Sequence, residues 1–517
     1  MTEEIQDSGF PLINSDGLTP STNTQNQKNK KEKEKISTKR KVLISVNDDI
    51  LNAANRGLYE SIIYQGEPCF LRCYNAHRGD DSVKLFSLEK VVTLKDESLN
   101  GDTKKTKYKP KDSTLEALPF ELLYITGEIS NAIPTRQELF DRVLTIIESY
   151  VDLPRDWSRV CALFVLLSYE QHKFNWLPYL GVFGDTGSGK SILAELLSYL
   201  CYRGGYFIQA NSANIYYFLK EYEDTVPTFA EDETQGFEKD TEKSKIYKAG
   251  NSKNGKVPRV LTTPTGSKLV VHPVYSLKML AGEQVPTVKG LNERLLTINM
   301  AKGKANKDWY ARGKEEMAAL KELKMDLLKW RMVNYSNQYP NDIQATCRIE
   351  NNLRPLRTIA NGLSIEGEFE DWCKEAIKKS QNEKKETLEG CVVEAIYELV
   401  ANGNYEAEKV LQGQEIKKVY ISFDDIWEKL ESVTYATTDG FNEKLITNEY
   451  GEVSKNKVGR ILTDIFGSKT ISRTPNGSSG VKVRYRVFDS DILGRVVGNY
   501  FDEQETERLK QRIQQSS

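Results

Sequence analysis

Eight consecutive residues, Gly184–Ser191 (GDTGSGKS), dictate a strand, a tight turn and a helix in that order, because they lie between an apolar run, YLGVF, and an amphipathic one, SILAELLSYL. Glycines at this GxxxxGK[ST] spacing let backbone N–H groups curl around phosphate oxygens, and a helix starting there adds the positive end of its dipole. Gly184, Gly187 and Gly189 are the hinge points, with Asp185, Thr186 and Ser188 completing the loop. Lys190 is the expected cation for the β and γ phosphates of ATP, and Ser191 offers its hydroxyl to Mg2+.

The flanking sequence continues the alternation: strand (GYFIQA), helix (ANIYYFLKEY), strand (VPTFAE), a β-hairpin turning at Thr265-Gly266 (RVLTTPTGSKLVV), then strands YSLKMLAG and NERLLTINM. Such an order predicts a three-layer α/β fold with a parallel sheet. Hydrolysis also needs an acid for the metal and a group that polarises water, and TFAEDE at the end of the third strand supplies both. Asp232 is assigned to the metal and Glu233 to the water. Glu231 stands where an apolar residue is expected, so a register of Glu231 and Asp232 stays open. Arg294, where a helix ends and the last strand begins, is suited to reach the γ-phosphate of a neighbouring subunit. Paired acids favour a hydrolase over a phosphate-transferring kinase.

At roughly 150 residues per domain, this length suggests about three domains. Residues 1–41 read as a disordered tail ending in KNKKEKEKISTKRK. Residues 42–119 read as a small β-rich α+β domain with a lysine-rich loop near 103–111, whose role is unreadable. The ATPase with its helical lead-in spans 120–335 and a helical lid 336–386. Residues 387–505 run helix, strand, helix, helix, strands, the order of a winged helix, and 506–517 form a charged tail.

A formal net charge of -2 means that attraction to nucleic acid must come from local patches. Seven cysteines without a CxxC pair and three histidines give no zinc-ligand spacing. The first residues lack a signal-peptide pattern and no run spans a membrane, so a reduced, cytoplasmic protein is expected.

Taken together, GDTGSGKS, TFAEDE and NERLLTINM followed by a winged helix resemble AAA+ ATPases, and among them the superfamily 3 type helicase domains of phage, plasmid and archaeal primase-helicases. The resemblance covers Asp141 to Lys302, with a weaker match from Thr387 to Tyr500. It implies a self-assembled ring, usually of six subunits, that threads single-stranded DNA past hairpins. The corresponding segment is Lys256 to Val270, with Lys253, Lys256, Arg259 and Lys268 as phosphate contacts. The family often has Asn or Ser/Thr after the fourth strand; this chain has AGEQ, leaving Glu283 or Gln284 to orient water. A nucleotide-sensing basic residue in the lid falls to Arg354 or Arg357.

In the C-terminal unit, Lys455, Lys457 and Arg460 on one helix and Lys482, Arg484 and Arg486 on the wing strand suit DNA phosphates. The expected function is an ATP-dependent, DNA-associated motor, a helicase-like ring ATPase of a replicon or mobile element. No zinc ribbon or polymerase triad accompanies it. Two rival readings fit the same motifs: an origin-binding or helicase-loading switch, and a signalling ATPase that does not contact DNA.

Overall fold

A computed structural model describes residues 37–46, 57–111, 131–339, 345–408, 418–431, 434–436, 442–444, 455–474 and 482–515, apart from short gaps. Residues 1–36 of the expected tail lie outside the described residues. Its last five, β1 (Ser37–Lys41), form a strand.

β2 (Leu43–Val46), β3 (Gly57–Tyr64), β4 (Glu67–Arg78) and β5 (Asp81–Glu89) form an antiparallel meander. β6 (Val92–Glu97) and β7 (Thr103–Pro110) join β1 in a second sheet, ordered β1-β7-β6. The expected lysine-rich loop is therefore strand β7. Thr106 is buried on it while Lys107 and Lys109 are exposed, so these charges stay in water and do not prevent pairing.

These sheets do not make a separate domain. Leu58, Glu60 and Ile62 share one face of β3 by the two-residue period of a strand, and Leu58 and Ile62 belong to the same hydrophobic core as the central part of the chain. Between them Glu60, fully buried, accepts from Tyr202 Oη (2.9 Å), Arg203 (2.9 Å) and Arg331 Nε (3.1 Å). Tyr59, on the opposite face, packs with Ile44, Phe70 and Val92 in a small core of their own.

α1 (Arg136–Tyr150) starts at a capping box, with Thr135 and Glu138 satisfying each other's backbone N–H groups. α2 (Arg155–Glu170) follows. Then come β8 (Tyr179–Gly184), α3 (Lys190–Leu200), β9 (Gly204–Ile208), α4 (Ser212–Glu221), β10 (Thr228–Asp232) and α5 (Thr241–Ala249). The hairpin β11 (Lys256–Thr263) and β12 (Gly266–Pro273) precedes β13 (Leu277–Gly282) and β14 (Leu295–Met300). The five central strands pair in parallel in the order β14-β8-β13-β10-β9, which puts β8 inside the sheet with β13 between it and β10. Burial of β13 and of all but the last residue of β8 explains why their sequences lack alternation; the one charged residue, Lys278, is buried and donates to the Val274 carbonyl and Ser276 Oγ.

α6 (Lys314–Asn334), α7 (Arg348–Ala360) and α8 (Glu366–Lys385) complete this body. The C-terminal unit comprises α9 (Leu388–Ala401), β15 (Glu406–Glu408), β16 (Lys418–Ser422), α10 (Phe423–Glu431), β17 (Thr434–Ala436), β18 (Asn442–Lys444), α11 (Lys455–Phe466), β19 (Lys469–Arg473), β20 (Val483–Asp489), α12 (Ser490–Val497) and α13 (Glu503–Gln515). Its antiparallel sheet is ordered β15-β16-β20-β19, and it has its own core. That core includes Leu509 and Ile513, so most of the expected charged tail is a packed helix whose two apolar residues, four apart, share one face. Among the described residues no helix is long and apolar enough to cross a membrane.

Candidate nucleotide site

The glycine loop leaves the C-terminal end of β8 in the middle of the parallel sheet, the edge at which open α/β sheets hold ligands. Two of its glycines are needed for different reasons. Gly189, with φ of +88°, caps α3 in a left-handed conformation that side-chain-bearing residues rarely adopt. Gly184 faces the Met300 carbonyl so closely that a Cβ would collide with it, so close approach of β14 depends on it. Lys190 bends back across the loop and donates to the Asp185 carbonyl at 3.3 Å. Ser188 is buried and its Oγ has no partner among the described residues.

A cavity of about 420 Å3 opens over Gly187–Ile192, walled by Tyr150, Asp152, Gly303, Ala305 and the exposed ring of Tyr310. Asp185 and Thr186 sit on the exposed tip, where Thr186 Oγ1 donates to Glu283 at 3.0 Å. Of Glu283 and Gln284, Glu283 is thus the one that touches the loop.

Asp232 ends β10, and Glu233 follows it with φ of +50°. Asp232 accepts from Tyr206 Oη at 2.7 Å and from the Glu233 N–H at 2.8 Å, so both of its oxygens are oriented. Glu233 accepts from Gln209 Nε2 at 2.9 Å, which holds its carboxylate toward the edge strand β9. Gln209 also has φ of +50°, and left-handed non-glycine residues of this kind cluster at working sites. Glu231 is fully buried, paired with Lys243 and hydrogen-bonded by Tyr247 Oη at 2.7 Å. Burial pushes its carboxyl up, and Lys243 opposes the shift. The ion pair takes up Glu231 and leaves Asp232 and Glu233 as the acids at the strand end. Among the described residues no cluster of three or more His, Cys, Asp or Glu is gathered for a metal.

Arg294 lies before the first residue of β14, whose far end, Met300, pairs with Gly184. Six positions at ~3.3 Å put it roughly 20 Å from the glycine loop of its own chain. Its guanidinium folds onto the Gly290 carbonyl, Nε is buried without a partner among the described residues, and burial together with Arg348 lowers its pKa. On α7, Arg357 pairs with Glu370 at 2.9 Å.

No protein-family model matches this sequence, and no curated protein does. Solved structures that resemble the chain include the apo C-terminal region of NrS-1 in its A form. One such structure is 14% identical with a TM-score of 0.30, covering 76% of this chain and 82% of that one. Another is 13% identical, again with a TM-score of 0.30, covering 83% and 96%. A TM-score this low assigns neither residues nor activity.

The basic residues expected to meet DNA are spread over two regions. On the hairpin, Arg259 and Lys268 occupy one face and Lys256 the other, since directly paired residues share a face. Arg259 is engaged by Glu242 at 2.9 Å and stacks 4.9 Å over Tyr216. The open face carries Val260, Leu269 and Val271, which are large and exposed, so the hairpin is not a uniform cationic ribbon. In the C-terminal unit Arg460 and Arg484 line one cleft, whereas Lys457 is outside its lining. Sequence reasoning missed Gln209, Tyr206 and Lys243. Nothing local marks them, because each acts through a strand or helix brought alongside by the sheet.

Proposed function

We propose that the chain binds and hydrolyses ATP with Mg2+, and that it works on DNA as a ring of identical subunits with a C-terminal winged helix. One observation carries the reading: the glycine loop and Asp232–Glu233 stand at the same end of one parallel sheet with a single strand between them. Two strand spacings of ~4.8 Å leave about 10 Å between backbones, room for a terminal phosphate and a metal.

In this mechanism the loop N–H groups hold the phosphates and Lys190 leaves the Asp185 carbonyl to neutralise the β and γ oxygens. Bound Mg2+ supplies charge neutralisation of the triphosphate, and Ser191 and Asp232 are the side chains that would hold it. Tyr206 fixes the direction of Asp232 beforehand. Glu233 turns from Gln209 to orient the attacking water and receive its proton. Arg294, remote from its own loop, serves the γ-phosphate of the next subunit. Lys256, Lys268, Lys457, Arg460 and Arg484 are the cations assigned to DNA, and all are exposed.

The test is an ATPase titration with single-stranded DNA, duplex and no DNA, on wild type and Lys190→Ala. Wild type should hydrolyse ATP faster with DNA, and Lys190→Ala should lose tight ATP binding. Unchanged nucleotide affinity in Lys190→Ala would sink the site, and a rate indifferent to every DNA would sink the DNA half of the reading.

A further inference from the structure

The C-terminal unit contains a cleft of about 480 Å3 between α11 and β20. Its walls carry Lys455 and Arg460 from α11 and Arg484 and Arg486 from β20, against the single carboxylate of Asp464. Arg484 and Arg486 are two residues apart on one strand, and opposite them stand the short hydroxyl side chains of Ser472 and Thr470. Among the described residues no carboxylate lies within ion-pair distance of Arg460, Arg484 or Arg486. Lys455 has Asp424 at 3.9 Å and lies 5.2 Å over the Trp427 ring.

Arg486 is built into place. It donates to the Gly459 carbonyl at 3.0 Å and Thr463 Oγ1 at 3.2 Å, and rests 5.7 Å over Phe423. Gly459 is inside α11, where glycine costs about 1 kcal/mol relative to alanine. A Cβ there would lie 2.7 Å from the Arg486 guanidinium, so the glycine admits the arginine. Burial and the neighbouring Arg484 both push the Arg486 pKa down, a second cost. A glycine inside a helix and two crowded guanidiniums are costs to the free chain, set against the two hydrogen bonds that Arg486 makes. An anion in the cleft offsets the crowding.

Charge narrows the anion. Four cations and one carboxylate leave three excess positive charges. An internal phosphodiester brings one negative charge, whereas a terminal phosphomonoester brings about 1.5 to 2 at neutral pH. We propose that this cleft binds the terminal phosphate of a nucleic-acid strand, with Arg484 and Arg486 gripping its oxygens and Lys455 and Arg460 closing the site. The proposal rests on the DNA-associated reading above.

Full-length protein is titrated by fluorescence anisotropy with single-stranded DNA of one sequence carrying a 5′-phosphate, a 3′-phosphate or hydroxyls at both ends. AMP and inorganic phosphate serve as competitors. Wild type should prefer one phosphorylated end by about tenfold or more, as expected of charge-assisted hydrogen bonds. The preference should fall to about twofold or less in Arg484→Gln and in Gly459→Ala, which displaces Arg486. Arg460→Gln, at an exposed helical position, replaces Gly459→Ala if that variant melts early. Equal binding of all three strands by wild type overturns the cleft assignment and leaves the DNA reading standing. A preference that persists in the variants also overturns it. AMP competing as strongly as the phosphorylated strand makes the ligand a free nucleotide and removes the strand end. Absence of binding to any strand fails both readings together.

Discussion

Glu231 is held by Lys243 and Tyr247, and Glu233 by Gln209, so two carboxylates two residues apart have different partners. Glu233→Gln should keep ATP binding and slow turnover at least ~100-fold, the usual loss when a base or water-orienting group is removed. Glu231→Gln should instead lower stability, because breaking a buried pair costs about 3–5 kcal/mol. Urea unfolding alongside single-turnover kinetics separates the two, and a folded Glu231→Gln with the larger kinetic loss would move the site by one residue. His172 offers a pH readout. Burial, reinforced by Arg331, pushes it down to about 2. The unfolded chain takes up this proton below pH ~6.5 and the folded chain does not. Stability should therefore fall as pH drops below ~6.5, by up to ~1.4 kcal/mol per unit from this group. Unfolding measured from pH 7 to 5 should show a shallower slope in His172→Gln.

At the level of elements, α13 shows how an amphipathic pattern can hide in a charged segment. Of its described residues Thr506, Leu509 and Ile513 are buried, and the remaining positions are mostly charged or amide side chains. A fragment of residues 387–517 should fold and bind DNA with an affinity that falls as salt rises, since phosphate contacts release counterions. The same fragment ending at residue 502 should lose several kcal/mol, as two buried aliphatic side chains are each worth about 2–5 kcal/mol. Circular dichroism during urea titration checks this, and equal midpoints would return the segment to the status of a tail. Strands β8 to β14 with α3 and α4 were legible because their apolar runs are long and punctuated by glycine and proline, whereas the polar α5 was not. β7 was not, because a strand with lysine stems outward reads as a loop.

The whole molecule divides differently from its composition. The N-terminal sheet shares its core with the parallel-sheet body and is tied to it by Glu60 between Arg203 and Arg331. Assembly is tested by Arg294→Ala, which should bind ATP yet lose about 10³- to 10⁵-fold in rate if the arginine acts as a finger. Mixing it with Lys190→Ala should restore part of the activity, since an interface can then combine an intact loop with an intact arginine. Recovery should grow with protein concentration. No rescue in a mixture shown by light scattering to contain mixed oligomers would rule out the shared site. The sequence by itself determined the loop, the candidate acids and the α/β alternation, because phosphate binding and strand–helix periodicity are local properties of spacing. Tertiary structure decided which acid is spent on an ion pair, which arginines share a cleft and which sheet belongs to which core. Those depend on contacts between residues such as Glu60 and Arg331 that are far apart in the chain, and no local pattern encodes them.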